Sequence, residues 1–293
     1  MVSVNKTGTR YRVITGIVAL PIYFFALASD CFNSIFILIA SLVISLITLY
    51  EYYIICDRGN DGKPFTILGI TAGAIVNIIM YLYAFGNKHG FTYTWITEAK
   101  LFFPFLALFL SVILIIQLFW RPIKGGIYSV AVTVFGVIYI VFFFSHIILM
   151  KALNDGFLHI LILNIVIMMN DTAAYFGGSY LGKHKLNFAV SPNKSWEGYF
   201  FGLLFSIIAM ILTNKLFYIF LDKNLFTLIE SIILGAVFST LGHIGDLVES
   251  AIKRDGSKKD SGSLLPGHGG MWDVFDALIF SSPFYYYYLI YFK

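Results

Sequence analysis

Leu101–Phe119 reads LFFPFLALFLSVILIIQLF, a run without one charged side chain. A helix rises about 1.5 Å per residue, so a run of this length approaches the roughly 30 Å of hydrocarbon in a bilayer. Reading outward, comparable apolar runs fall near 13–29, 32–55, 66–86, 99–119, 126–149, 157–181, 196–221, 225–252 and 271–291. They predict nine transmembrane helices. The runs are continuous, whereas barrel strands would alternate over about ten residues. The 293 residues are 59% hydrophobic and 12% charged, against about 45–50% and 25% in soluble domains, which excludes a water-soluble globule. The expected fold class is therefore all-α, a polytopic integral membrane protein. It forms one continuous membrane domain, with about five spans in residues 1–150 and about four in 151–293.

The basic residues divide unequally between the two ends of these spans. Lys6, Arg10, Arg12, Arg58, Lys63, Arg121, Lys124, Lys183, Lys185, Lys194, Lys253, Arg254, Lys258 and Lys259 fall on one side, fourteen in all, against six on the other. The positive-inside rule then puts the N-terminus in the cytoplasm and the C-terminus outside. Trp95, Trp120, Trp196 and Trp272 lie near span ends and read as interfacial belt residues. Cys31 and Cys56 flank the second span and face opposite compartments, so they cannot pair. The first span, with its basic start and Ala26-Leu27-Ala28, also fits a cleavable signal peptide. Gly69/Gly73, Gly178/Gly182 and Gly198/Gly202 have the spacing that lets helices approach closely.

Ionisable groups near a bilayer are costly and mark function. Eight of the sixteen acidic residues, Asp171, Glu197, Asp246, Glu249, Asp255, Asp260, Asp273 and Asp276, lie within or beside two connections on the predicted cytoplasmic side. Asp171 lies at the inner end of the sixth span, followed by Gly177, Gly178 and Gly182; a structural hydrogen bond and a site role are equally good readings of it. Ser191 to Gly198, SPNKSWEG, makes a turn and then a helix start, aiming Lys194 at the N-terminus of the next span, where backbone N–H groups favour phosphate. Alone, this is a capping sequence. Gly245 to Asp276, GDLVESAIKRDGSKKDSGSLLPGHGGMWDVFD, carries more. Asp246, Glu249, Ser250 and Lys253 occupy i, i+3, i+4 and i+7 of one helix face. Arg254, Lys258, Lys259, Asp260 and His268 follow, and Asp273 and Asp276 stand at i and i+3 in the first turns of the last span. Carboxylates mixed with bases fit a site where Asp oxygens hold Mg²⁺ and Lys or Arg neutralises phosphates sharing the metal. Gly267, Gly269 and Gly270 would let backbone approach a phosphate.

These residues resemble the phosphatidate cytidylyltransferases, or CDP-diacylglycerol synthases. That family's signature is Ser, two residues, Lys-Arg, four residues, Lys-Asp, then a loop ending His-Gly-Gly and Asp-x-x-Asp. It is matched by Ser250, Lys253-Arg254, Lys259-Asp260, His268-Gly269-Gly270, Asp273 and Asp276. The well-matched region runs from about 165 to 280. Val274 stands where the family usually has Arg, and Asn193 and Ser195 replace two residues of its usual Lys-Lys-Thr. The resemblance implies an enzyme that transfers CMP from CTP to phosphatidate, releasing pyrophosphate, with residues 151–293 as the catalytic region. It implies Asp246, Asp273, Lys253, Ser250 and His268 as catalytic candidates. Lys194, Arg254, Lys258, Lys259, Ser191, Gly269 and Gly270 would bind the nucleotide and phosphates, and Asp246, Asp273, Asp276 and Asp171 the metal. It allows a monovalent cation beside Mg²⁺ and implies the cell inner membrane, with the site facing the cytoplasm and the diacyl chains entering sideways between helices. Packing glycines and the family together suggest a homodimer, and nucleic acid is not an expected partner. A transporter or channel is the main non-enzyme alternative, but such proteins place charges near the midplane. A CTP-dependent polyprenol kinase, or a cytidylyltransferase for another lipid phosphate, would use similar chemistry.

Overall fold

The computed structural model describes residues 21–86, 100–265, 267 and 269–293. Within them the chain is a bundle of long helices: α1 Cys31–Ile55, α2 Thr66–Phe85, α3 Phe102–Trp120 and α4 Gly126–Ala152. There follow α5 Gly156–Leu181, α6 Trp196–Leu221, α7 Leu228–Asp255 and α8 Trp272–Phe292. Each lies within about three residues of a predicted span, because hydrocarbon demands that backbone polar groups be satisfied inside the segment. The first predicted span falls largely outside the described residues. Its end, 21–28, is helical, and the Tyr23 hydroxyl donates to Asn164 Oδ1 of α5 at 3.2 Å.

Among the described residues, seven helices are long and apolar enough to cross a membrane. The last, α8, has the length, but Pro283 and the tyrosines at 285–288 make it less apolar. Large apolar side chains on the outside, such as Phe103, Leu118, Ile127 and Phe220, match a lipid environment rather than water. Of α3 only Phe109 and Ile113 are buried, so that helix lines the periphery.

Ends are set by local chemistry. Ser195 caps α6 by accepting the Gly198 N–H at 3.2 Å, and Thr227 and Glu230 form a reciprocal capping box on α7. Glycines set the closest helix pairs. A Cβ at Gly198 would lie 2.9 Å from the Ala174 carbonyl of α5, and one at Gly245 2.9 Å from the Asp276 carbonyl of α8. Gly69 abuts Tyr53, Gly73 Leu46, and Gly202 Asn170. The glycines expected to serve a homodimer thus make contacts inside the chain and lend a dimer no support.

Two of the tryptophans match the belt reading: Trp120 and Trp196 end or begin helices with exposed rings. Trp95 lies outside the described residues. Trp272 departs from it, being fully buried with its ring 5.6 Å from that of Tyr52. A span end is interfacial only where no neighbouring helix covers it, and α1 covers this one.

Candidate active site

The C-terminal ends of α1, α5 and α7 meet the N-terminal ends of α6 and α8 at one end of the bundle, and the ionisable residues gather there. The face predicted for α7 forms. Ser250 Oγ donates to Asp246 Oδ1 at 3.4 Å, and Lys253 Nζ pairs with Glu249 Oε2 at 2.7 Å one turn apart.

The two aspartates of α8 take separate roles. Asp273 receives Lys253 Nζ on Oδ1 at 2.6 Å. Its other oxygen accepts the Gly270 N–H at 2.7 Å, the Ser261 N–H at 3.0 Å and the Ser261 hydroxyl at 2.9 Å. Both oxygens are therefore occupied by protein donors. Asp276 instead joins Asp246 and Glu249, and one oxygen from each of the three lies within 4.8 Å of the others. Among the described residues, Asp276 accepts one hydrogen bond, from the adjacent Ala277 N–H at 2.6 Å. Among the described residues, buried Glu249 Oε1 has no hydrogen-bond partner. Three convergent carboxylates with one orphaned oxygen form a donor set that a hard cation satisfies.

Around this cluster, Lys194 of the turn before α6 pairs with Asp246 Oδ2 at 2.7 Å. Asp171, at the inner part of α5, lies within electrostatic reach of Asp246 and Lys194 and accepts from Asn170 Nδ2 at 3.1 Å. Asn170 is itself fixed by the Ser239 hydroxyl at 2.7 Å and the Ser206 hydroxyl at 3.4 Å, so α5, α6 and α7 share one buried polar node. Ser191 closes a tight turn, its N–H on the Phe188 carbonyl at 3.1 Å, and so holds the loop that carries Lys194. Arg254 donates to the Lys258 carbonyl at 3.0 Å, while Lys258 and Lys259 themselves are exposed at the rim. Gly269 has φ +101°, a conformation open to glycine, and the space where its Cβ would stand abuts Asp273 Oδ2 at 2.5 Å. With the Gly270 N–H also on Asp273, this glycine run wraps a carboxylate. His268 lies outside the described residues.

Two contributors come from the N-terminal half and carry no signal in the predicted site set. Glu51 of α1 is buried and accepts the Met271 and Trp272 N–H groups at 2.9 Å each, and the Ser261 hydroxyl at 3.0 Å. Tyr139 lies in the π-helical stretch Val137–Phe142 of α4, and its buried hydroxyl has no hydrogen-bond partner. Its ring packs against Phe280, one turn beyond Asp276, and it lies within electrostatic reach of Asp276 and Glu249. A lone acid at a span end, and a tyrosine in an apolar run, give no local pattern to read.

A bundle of helices long and apolar enough to cross a membrane, with ionisable residues gathered at one end, defines the class: an all-α polytopic membrane protein. The chain belongs to the cytidylyltransferase family, whose model matches residues 10–292. It is similar to the phosphatidate cytidylyltransferase of Staphylococcus haemolyticus (strain JCSC1435), 43% identical over 130 residues, 44% of this chain and 48% of that protein. It is also similar to those of Staphylococcus saprophyticus, 42% over 135 residues covering 46% and 50% of the two chains, and of Staphylococcus aureus (strain COL), 39% over 130 residues covering 44% and 48%. The matched stretch thus spans about half the length of these curated relatives.

Proposed function

We propose that the chain is a phosphatidate cytidylyltransferase of the bacterial inner membrane, with its ionic site facing the cytoplasm. The observation that carries the reading is the trio Asp246, Glu249 and Asp276 with its orphaned Glu249 oxygen, flanked by Lys194 and Lys253, in a chain of the cytidylyltransferase family. The fourteen-to-six division of basic residues supports the orientation. Residues 151–293 form the catalytic region.

In the proposed reaction a phosphate oxygen of phosphatidate bonds to the α-phosphorus of CTP. The bond from that phosphorus to the bridging oxygen breaks, and pyrophosphate leaves with the electron pair. The nucleophile is already ionised at neutral pH, so no strong base is needed. The difficulty is electrostatic, because two anions must meet in line. Asp246, Glu249 and Asp276 would hold Mg²⁺, which when bound neutralises phosphate charge. Lys194 faces the same space and offers a cation to either phosphate, and the exposed Lys258 and Lys259 meet the nucleotide at the rim. Lys253 and Asp273 hold Glu249 in place, and Ser250 orients Asp246.

Membranes containing the chain, given labelled CTP and a panel of lipid phosphates, test this by mass spectrometry. CDP-diacylglycerol is the expected product. A phosphorylated polyprenol, or no consumption of CTP, overturns the reading.

A further inference from the structure

The carboxylate of Glu51 stands 220 residues in sequence from the Met271 N–H that it accepts, and it is one point where the N-terminal helices grip the site. Three layers of structure fix it. At the base, α1 is locked in rotation against α2: Ser41 Oγ donates to Asn77 Oδ1 at 2.6 Å, and Asn77 Nδ2 donates to Ser45 Oγ at 3.1 Å. Ser41, Ser45, Thr48 and Glu51 share one buried face of α1. Next to Glu51, the Tyr53 hydroxyl donates to the Thr133 carbonyl of α4 at 2.9 Å, tying the end of α1 to a third helix. At the top, the carboxylate meets the first N–H groups of α8, where unpaired donors and the helix dipole favour negative charge.

From Glu51 a chain of contacts leads to the cation cluster. Its oxygens hold Ser261 and the Met271–Trp272 backbone; Ser261 and Gly270 hold Asp273; Asp273 holds Lys253; Lys253 holds Glu249. The packing leaves no slack, since a Cβ on Gly262 would stand 2.6 Å from Glu51 Oε1. We infer that Glu51 is a positioning residue, through which the N-terminal spans set the placement of Glu249 and so the cation affinity of the site. The inference rests on the proposed reading for its link to turnover, but its link to cation binding stands apart from the substrate.

Glu51→Gln tests it. The amide keeps one acceptor oxygen where two backbone N–H groups need one each, and it removes the charge. Purified full-length protein in detergent is titrated with Mn²⁺, followed by electron paramagnetic resonance, and turnover with CTP and phosphatidate is measured on the monodisperse fraction. Glu51 reaches Glu249 through Ser261, Asp273 and Lys253, so its loss weakens affinity by less than the roughly 10–100-fold of a direct outer partner. The expected result is a Mn²⁺ dissociation constant raised about threefold or more, a matching fall in kcat, and a KM for CTP within about twofold of wild type. Lowered stability with unchanged Mn²⁺ affinity and kcat would reduce Glu51 to a helix cap and overturn the inference, as would a wild-type protein that binds no Mn²⁺. Should the Gln variant fail to fold, Ser261→Ala decides, because it removes the hydroxyl shared by Glu51 and Asp273 and leaves Glu51 on the Met271 and Trp272 N–H groups. A shift of about threefold or more in the same direction supports the inference, from the worth of one hydrogen bond, and no shift overturns it. If the wild type binds Mn²⁺ but makes no CDP-diacylglycerol, the proposed reaction falls and the Mn²⁺ titration still decides on Glu51.

Discussion

Replacing Lys253 by Met tests the ionic centre where its energetics are largest. The ammonium lies 2.7 Å from Glu249 and 2.6 Å from Asp273, with side chains 10%, 2% and 13% exposed, so solvent screens little of the interaction. Methionine fills a similar volume but leaves two buried carboxylates facing each other without a cation. Removing one member of a buried ion pair costs about 3–5 kcal/mol, because the desolvated partner charge remains. At 1.36 kcal/mol per decade, that lowers the folded-to-unfolded ratio roughly a hundred- to several-thousand-fold. The loss has a signature that an ordinary core defect lacks. With one positive charge gone beside Asp246, Glu249 and Asp276, added divalent cation should restore part of the stability, more than it adds to wild type. Thermal unfolding in detergent, with and without Mg²⁺, measures both effects. A variant within about 0.5 kcal/mol of wild type, or one whose deficit is indifferent to Mg²⁺, would refute the reasoning.

Further expectations follow from individual contacts. Asp246→Asn and Asp276→Asn should each weaken Mn²⁺ binding at least about tenfold, since altering even an outer partner of a ligand costs that much; unchanged titrations would remove that residue from the proposed cation set. Tyr139→Phe deletes a buried hydroxyl that has no partner, so stability should hold or rise by about 1 kcal/mol, whereas turnover of CTP should fall if the hydroxyl serves the acid cluster; full activity would leave Tyr139 a packing residue. Gly270→Ala sets a methyl group against Ser261 and 2.6 Å from both Glu51 carboxylate oxygens. Such overpacking should cost about 1–3 kcal/mol by denaturant or thermal unfolding.

The spans were readable because bilayer thickness fixes a minimum apolar length, and no tertiary contact is needed to see it. The α7 face was readable for a related reason: Asp246, Ser250, Glu249 and Lys253 meet their first partners one turn away, so helical spacing alone pairs them. What spacing cannot supply is the rotation of one helix against another. Asp273 and Asp276 lie three residues apart and look equivalent, yet Asp273 turns to Lys253 and the Gly270 backbone while Asp276 turns to Asp246 and Glu249. The close approach of α7 and α8 at Gly245, where a Cβ would stand 2.9 Å from the Asp276 carbonyl, is likewise a tertiary contact that helical spacing does not encode. Trp272 shows the same dependence, since its place at a span end predicts an interfacial ring and the neighbouring Tyr52 of α1 buries it.

Glu51 is the extreme case. Its neighbours in sequence, Tyr50 and Tyr52, give an acid at a helix end no special meaning, and its partners lie more than two hundred residues away. Its burial nevertheless follows from a rule visible once the bundle is assembled. The first N–H groups of a helix that starts inside a protein need acceptors, and at α8 the first turn offers only Asp273, whose own oxygens hold Lys253, Ser261 and Gly270. The acceptors come instead from α1, whose C-terminal end brings the Glu51 carboxylate to the Met271 and Trp272 N–H groups. Two acids thus serve the start of α8, Asp273 from within it and Glu51 from α1, while Asp276, three residues on, faces Asp246 and Glu249.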